Sequence, residues 1–263
     1  MPEKLPARKH VAILGAGYVG KSLCEVLAAT FDVRLATRSG SSSGDGSVSA
    51  PLCFELQRRE TWSSVGPADA VVWTFPAALN GSDIAMAVEF CSTLRDKNIP
   101  VLVLASTSCF VVANPQALVD ESFELDLTQV RVRAEEELRR RGCCILALAG
   151  IYGPGRDPCN WLRRGLIKSG ANFINLIHRD DVTKIVFNWI KNPVSGLRIN
   201  ASDGRHRLWS ELLEQLKKHG MIEPELNPFS NLDTNSSSKR IDNTLLTREL
   251  FGGPFHRYPE EGL

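Results

Sequence analysis

A prevailing sign of charge is missing from this chain: 31 lysines and arginines stand against 30 acids over 263 residues, a formal net charge of +1. That balance excludes a broad electrostatic footprint for nucleic acid or an anionic membrane, so any phosphate recognition has to be local. No apolar stretch is long enough to cross a bilayer, and the polar segment from Met1 to His10 does not read as a signal peptide. The seven cysteines are odd in number, lack Cys-x-x-Cys spacing and mostly lie in apolar runs. They point to reduced, buried thiols and a cytoplasmic setting. His206, His219 and His256 have no carboxylate or cysteine at ligand spacing, so no metal site is expected. Tyrosine is scarcer still: of Tyr18, Tyr152 and Tyr258, none is followed four residues later by a lysine.

What is present is a repeating alternation of apolar runs and helical segments, the rhythm of a parallel sheet covered by helices. Strands are predicted at His10–Leu14, Val33–Thr37, Leu52–Leu56, Ala70–Phe75, Pro100–Ala105 and Cys143–Ala149, about six by residue 150. Helices are predicted at Tyr18–Ala29, Asp83–Lys97 and Gln129–Arg141. Beyond Gly150 the pattern loosens, with helices near Val182–Lys191 and Trp209–His219 around a strand at Leu197–Asn200. Ser39–Ser49 and Asn227–Arg240 read as polar loops. The expected fold class is α/β, a Rossmann-type doubly wound parallel sheet with a small C-terminal substrate lobe. Residues 1–150 would form the dinucleotide-binding core and 151–263 the substrate-binding lobe, partly interleaved with it.

Gly15-Ala16-Gly17-Tyr18-Val19-Gly20 is a Gly-x-Gly-x-x-Gly run set between the first strand and the first helix. In that position Gly15 permits the tight turn, Gly17 lets backbone approach a pyrophosphate, and Gly20 allows close packing of helix on strand. The helix start then offers free N–H groups to phosphate oxygens. At the end of the second strand, Thr37-Arg38-Ser39 carries no acid to hold a ribose 2′-hydroxyl, and Asp32 lies at the strand's other end. A guanidinium at Arg38 suits a 2′-phosphate, which favours NADP over NAD; the alternative is a solvated surface arginine.

These features, with AVVWTFPA (70–77), VLVLASTSCF (101–110), AGIYGPGRDP (149–158), NLIHRDDVTKIV (175–186) and GLRINASDG (196–204), lie in the order of the extended short-chain dehydrogenases/reductases. The chain resembles that family, the NAD-dependent epimerases/dehydratases, and within it the atypical YeeZ-like subgroup. The resemblance implies that Phe75, Pro76 and Ala77 lie beside the cofactor and that Ser106 polarises the substrate oxygen, with Thr107 and Ser108 as close substitutes. Ser106 could equally be a simple helix or turn cap.

The resemblance breaks at the family's Tyr-x-x-x-Lys pair. The matching helix places Gln129 at the tyrosine position and Arg133 at the lysine position, and contains no tyrosine. Arg133 either holds the ribose or a phosphate, or is a solvated helix charge; Arg131 reads as a surface residue. Tyr152 is the best-placed replacement acid, its alternative being a pocket wall. Cys109 reads as a buried inert thiol. His178 is a substrate-binding candidate, although His178 and Asp181 otherwise read as ties between the C-terminal lobe and the core. Arg156, after Gly153-Pro154-Gly155, could bind a carboxylate or phosphate, and Arg163, Arg164 and Lys168 continue its basic character.

Two functions from different classes follow. One is an NADP-dependent oxidoreductase or epimerase acting on a small polar metabolite, anionic or sugar-derived, with no nucleic acid or membrane partner and a homodimer as an open option. The other is an NADP(H)-binding sensor or scaffold that has lost turnover. A purely structural interaction protein would leave the glycine run coincidental.

Overall fold

A computed structural model describes residues 8–40, 51–229 and 238–260. The predicted loops at 41–49 and 230–237, and the start of the N-terminal segment, lie outside them.

The chain opens with β1 (His10–Leu14), α1 (Tyr18–Leu27), β2 (Asp32–Thr37), β3 (Leu52–Cys53), β4 (Ala70–Trp73), α2 (Gly81–Arg95) and β5 (Val101–Ser106). It continues through β6 (Leu118–Val119), α3 (Val130–Arg140), β7 (Cys144–Leu148), β8 (Gly150–Tyr152), α4 (Pro158–Arg163), β9 (Phe173–Ile174) and β10 (Leu176–His178). It closes with α5 (Arg179–Lys191), β11 (Arg198–Ala201), β12 (Arg207–Leu208), α6 (Trp209–Lys218), β13 (Arg240–Ile241) and α7 (Thr244–Glu249).

Seven of these strands form one parallel sheet in the order β3-β2-β1-β4-β5-β7-β11. The order reverses at β1, which pairs in parallel with β2 on one side and β4 on the other. Such a switch point opens a crevice at the carboxyl ends of the strands. The fold is therefore α/β and Rossmann-like, as expected. The sheet takes in the six strands read before residue 150 and a seventh, β11, near the one read at Leu197–Asn200. Residues Ala70–Trp73 are all buried, which explains their unbroken apolar run.

Two compact units can be distinguished: residues 1–105, 127–146 and 183–198, and residues 106–126, 147–182 and 199–263. The first has an aromatic core in which Trp73 meets Phe90 edge-on at 5.7 Å and Phe54 lies 4.9 Å from Phe90. Helix α2 starts there with a capping box: Asn80 accepts from the Asp83 amide while Asp83 accepts from the Asn80 amide. Deep in the same unit, Arg198 on β11 pairs with Glu135 on α3 at 3.1 Å. The second unit has its own core of Tyr152, Leu162, Ile174, Leu176, Leu212, Leu216 and Tyr258.

Three details correct the sequence reading. The third strand is two residues long, since Phe54 onward turns toward a 3-10 segment at Arg59–Val65. Helix α5 begins at Arg179, not Val182, directly after β10. Arg240 belongs to a short strand paired with Leu118–Val119 and not to a loop. None of the seven cysteines is in a disulfide, and all but Cys53 are buried. Among the described residues no helix is long and apolar enough to cross a membrane.

Candidate functional site

The glycine run works by exclusion. Gly15 adopts φ +106°, and a Cβ there would lie 2.7 Å from Thr74 Oγ1. Thr74 Oγ1 in turn donates to the carbonyls of Leu14 and Gly15, which holds the turn against β4. A Cβ at Gly20 would fall 1.9 Å from the Gly15 carbonyl oxygen, so only hydrogen fits where α1 meets the turn. Gly17 differs: a Cβ there would meet nothing within 4 Å. It is the N-cap of α1, its φ of −75° suits any residue, and no side chain caps the first turn. Open space at that point, beside an uncapped helix start with no acid in its first turn, is what a pyrophosphate needs. Tyr18 is half-buried and Val19 buried on the helix that follows.

From Gly15 and Gly17 a cleft of about 510 Å³ runs along the carboxyl ends of the strands. Ala36, Thr37 and Arg38 line it from β2, Phe54 to Gln57 from beyond β3, and Phe75 to Leu79 from beyond β4. Seven of the expected cofactor residues thus line one cleft within the first unit, Ser39 being exposed just past Arg38. Among the described residues, the Thr37 hydroxyl is buried without a hydrogen-bond partner. Arg38 is exposed and, among the described residues, in no ion pair. Asp32 is occupied at the strand's far end by His10, 2.7 Å away. The far wall is set by Asp83, which accepts from the amides of Leu79 (2.8 Å) and Asn80 (3.2 Å) and from Gln57 Nε2 (3.0 Å). Burial raises the Asp83 pKa, but these hydrogen bonds more than reverse that and hold it below the usual carboxylate range.

On α3, Gln129 does not stand free: its side-chain oxygen accepts from Arg131 Nη2 at 2.8 Å, while Arg131 Nη1 meets Glu135 at 3.1 Å. Arg131 is therefore half-buried in a network with Glu135 and Arg198, which corrects its reading as a surface charge. Arg133, exposed, donates to the Leu127 carbonyl at 3.1 Å.

The second unit holds the remaining candidates. Ser106, half-buried, accepts from the Ser108 amide at 3.2 Å and lies 3.0 Å from the Ser108 hydroxyl. It therefore does cap the short turn Thr107–Cys109, and this leaves its hydroxyl able to serve a ligand as well. Ser108 is exposed; Thr107 and Cys109 are buried. Lys239, which nothing in the sequence marked, donates to the Thr107 carbonyl at 2.7 Å. Arg156 is exposed, with its backbone bridged to Gly153; Arg163 pairs with Glu223 on the surface.

Tyr152 is fully buried, edge-on to His178 at 4.9 Å and to Tyr258 at 5.3 Å. Burial first, then the charges of Asp203 and Asp181, push its phenol pKa well up, so it keeps its proton. His178 is buried too; burial and then His256 lower its pKa. His256 has the carboxylate partner that its sequence surroundings deny it. Asp181, fully buried, accepts from its Nδ1 and from its backbone amide, both at 2.8 Å. His178, Asp180 and His256 bring ligand atoms within 4.8 Å of one another, the two rings stacked at 4.2 Å, a grouping that the expectation of no metal site did not foresee. The sequence separation of 75 between Asp181 and His256 hides this pairing from local spacing.

No family model matches the chain. Protein YeeZ of Escherichia coli K12 is 25% identical over 271 residues, covering 96% of this chain and 97% of YeeZ. A structure described as a functionally unknown conserved protein from Silicibacter pomeroyi superposes with a TM-score of 0.75 at 21% identity, over 95% of this chain and 94% of that one. The dTDP-glucose 4,6-dehydratase of Bacillus anthracis, in complex with NAD, gives a TM-score of 0.73 at 11% identity, over 97% and 94%.

Proposed function

We propose that this YeeZ-like chain, which carries the fold of the NAD-dependent epimerases and dehydratases, is an NADP(H)-binding oxidoreductase or epimerase acting on a small polar metabolite. The observation that carries the reading is Gly17: a helix N-cap in open space, at a switch point, flanked by two glycines that cannot be replaced without collision. The described residues fit a dinucleotide there. Backbone amides at the start of α1 would take the pyrophosphate, Phe75 to Ala77 would line the nicotinamide side, and Arg38 with the unpartnered Thr37 hydroxyl would take a 2′-phosphate. A cation that is exposed and, among the described residues, in no ion pair supports NADP over NAD.

When bound, the cofactor supplies hydride exchange at its nicotinamide C4. Ser106 would polarise the substrate oxygen, its lone pairs and proton set by the Ser108 hydroxyl and amide. Residues from 151 onward would supply the substrate contacts, Arg156 among them. Tyr152 is not assigned the proton transfer, because burial makes its phenol hold its proton. Seven thiols in no disulfide accord with a cytoplasmic setting. One observation favours a second reading, a cofactor-binding sensor without turnover: Gln129, at the family's tyrosine position, is bonded to Arg131.

Calorimetric titration with NADP(H) and NAD(H), followed by an absorbance assay against small carbonyl compounds, tests both. Binding with turnover supports the enzyme, and binding without turnover the sensor; absence of binding refutes the site. Arg38→Asp should weaken NADP binding at least about tenfold while sparing NAD, and an unaltered ratio removes Arg38 from the site.

A further inference from the structure

Apart from the cleft, the second unit buries a group of polar side chains whose hydrogen bonds do not close. Tyr152, His178, Asp203 and Arg207 are 0%, 3%, 1% and 4% exposed. Among the described residues, the Tyr152 hydroxyl, His178 Nε2, Asp203 Oδ2 and all three guanidinium nitrogens of Arg207 lack a hydrogen-bond partner. The groups are neighbours. Tyr152 stands edge-on to His178 at 4.9 Å, Arg207 Nη2 lies 3.5 Å from Asp203 Oδ2, and Asp203 and Arg207 both act electrostatically on the Tyr152 phenol. Elsewhere a buried arginine meets its carboxylate at hydrogen-bonding distance: Arg198 lies 3.1 Å from Glu135. Native proteins rarely leave buried donors bare, because each unmade bond costs about 1–3 kcal/mol and more for a charged group.

The balance of donors and acceptors selects what would complete the group. A guanidinium has five N–H donors and no acceptor. The Tyr152 phenol keeps its proton and so has an O–H to give. His178 Nδ1 accepts from the Asp180 amide at 3.2 Å, which puts the proton of the neutral ring on Nε2. Against all these donors stands one carboxylate oxygen, Asp203 Oδ2, engaged at 3.5 Å with a single arginine nitrogen. Water brings as many donors as acceptors and cannot even out such an excess; an oxyanion brings acceptors only. The surrounding charges permit it. Arg257 donates to the Asp203 carbonyl, Arg205 pairs with Glu260, and the Asp181 carboxylate is engaged by His256.

We propose that Arg207, with Tyr152 and His178, forms a buried binding site for a small oxyanion, a carboxylate or a phosphate, distinct from the dinucleotide cleft. Its closure predicts slow exchange and therefore co-purification. Protein purified in chloride buffer free of phosphate and carboxylates is denatured, and the released anions are separated by ion chromatography. About one equivalent of phosphate or of a carboxylate per chain is expected, and which of them elutes identifies the source. Thermal unfolding is measured in parallel with inorganic phosphate and with acetate; the wild type should gain stability from one of them. Arg207→Met should retain no anion and lose that gain. Should Arg207→Met fail to fold, Tyr152→Phe removes one donor at constant shape and should lower the affinity about tenfold, one charge-assisted hydrogen bond. Release of less than a tenth of an equivalent, with no thermal response to either anion, overturns the proposal. So does an undiminished anion content and affinity in Tyr152→Phe.

Discussion

The two compact units make polar sites in opposite ways. In the first, the cleft is built largely from backbone: a contiguous glycine turn and the ends of neighbouring strands supply its amides and walls. In the second, the polar interior is built from side chains, some converging from distant positions, Asp157 onto Tyr258 and Asp181 onto His256, and some from the same turn of chain, Asp203 onto Arg207. A backbone amide at a helix start is already unpaired and costs nothing extra to present. A buried side-chain charge has to be stripped of water first and is tolerated only when partnered. The first kind of site can be changed without unfolding the protein, whereas the second is part of what keeps it folded.

Gly17→Val sharpens this contrast most. The new side chain enters open space at an allowed φ, so dinucleotide affinity should fall at least about hundredfold while stability changes by no more than about 1 kcal/mol. Calorimetry alongside denaturant unfolding separates the two, and a parallel loss of stability would show that the turn is not an independent binding device. Tyr258→Phe makes the converse change. Its hydroxyl donates to Asp157 at 2.8 Å and lies 2.9 Å from Cys159 Sγ, so its removal should cost about 1–3 kcal/mol. Dinucleotide affinity, measured by the same titration, should stay unchanged.

The smallest effect is electrostatic. Asp83 is held below the usual carboxylate range, so its contribution is present above the unfolded-state pKa and fades as pH falls through the lower native value. Asp83→Asn should cost about 1 kcal/mol at neutral pH and flatten the acid limb of the stability profile. Asp203 has the opposite sign: burial, despite Arg207, raises its pKa. Its term favours folding most below the unfolded pKa and declines as pH rises toward the native value. Urea melts between pH 3 and pH 7 on the Asp83→Asn variant decide the matter; an unchanged slope would mean that the capping box carries no linkage.

The same contrast explains what could be read in advance. Strands β1, β4 and β5 were legible because a strand buried on both faces needs an unbroken apolar run. The cleft was legible because glycine is the one residue that avoids the collisions at positions 15 and 20. His256 was not legible, since its carboxylate partner arrives from 75 residues away, and Lys239 reaches Thr107 across 132. Arg131 was misplaced because its position on α3 looks solvated until Glu135 and Arg198 are brought beside it. No periodicity encodes which buried charge will meet which.

The bonds made by residues 256 to 260 also set an order of events during synthesis. His256 satisfies Asp181, Arg257 the Asp203 carbonyl, Tyr258 meets Asp157 and Cys159, and Glu260 neutralises Arg205. Until that segment has left the ribosome, the second unit holds an aspartate without its counterpart and an uncovered interior. The first unit's glycine cleft, by contrast, lies wholly within the first 83 residues. A nascent chain stalled shortly before residue 256 would thus have all the residues of its glycine cleft outside the tunnel while its other half waited for residues 256 to 260 to close it.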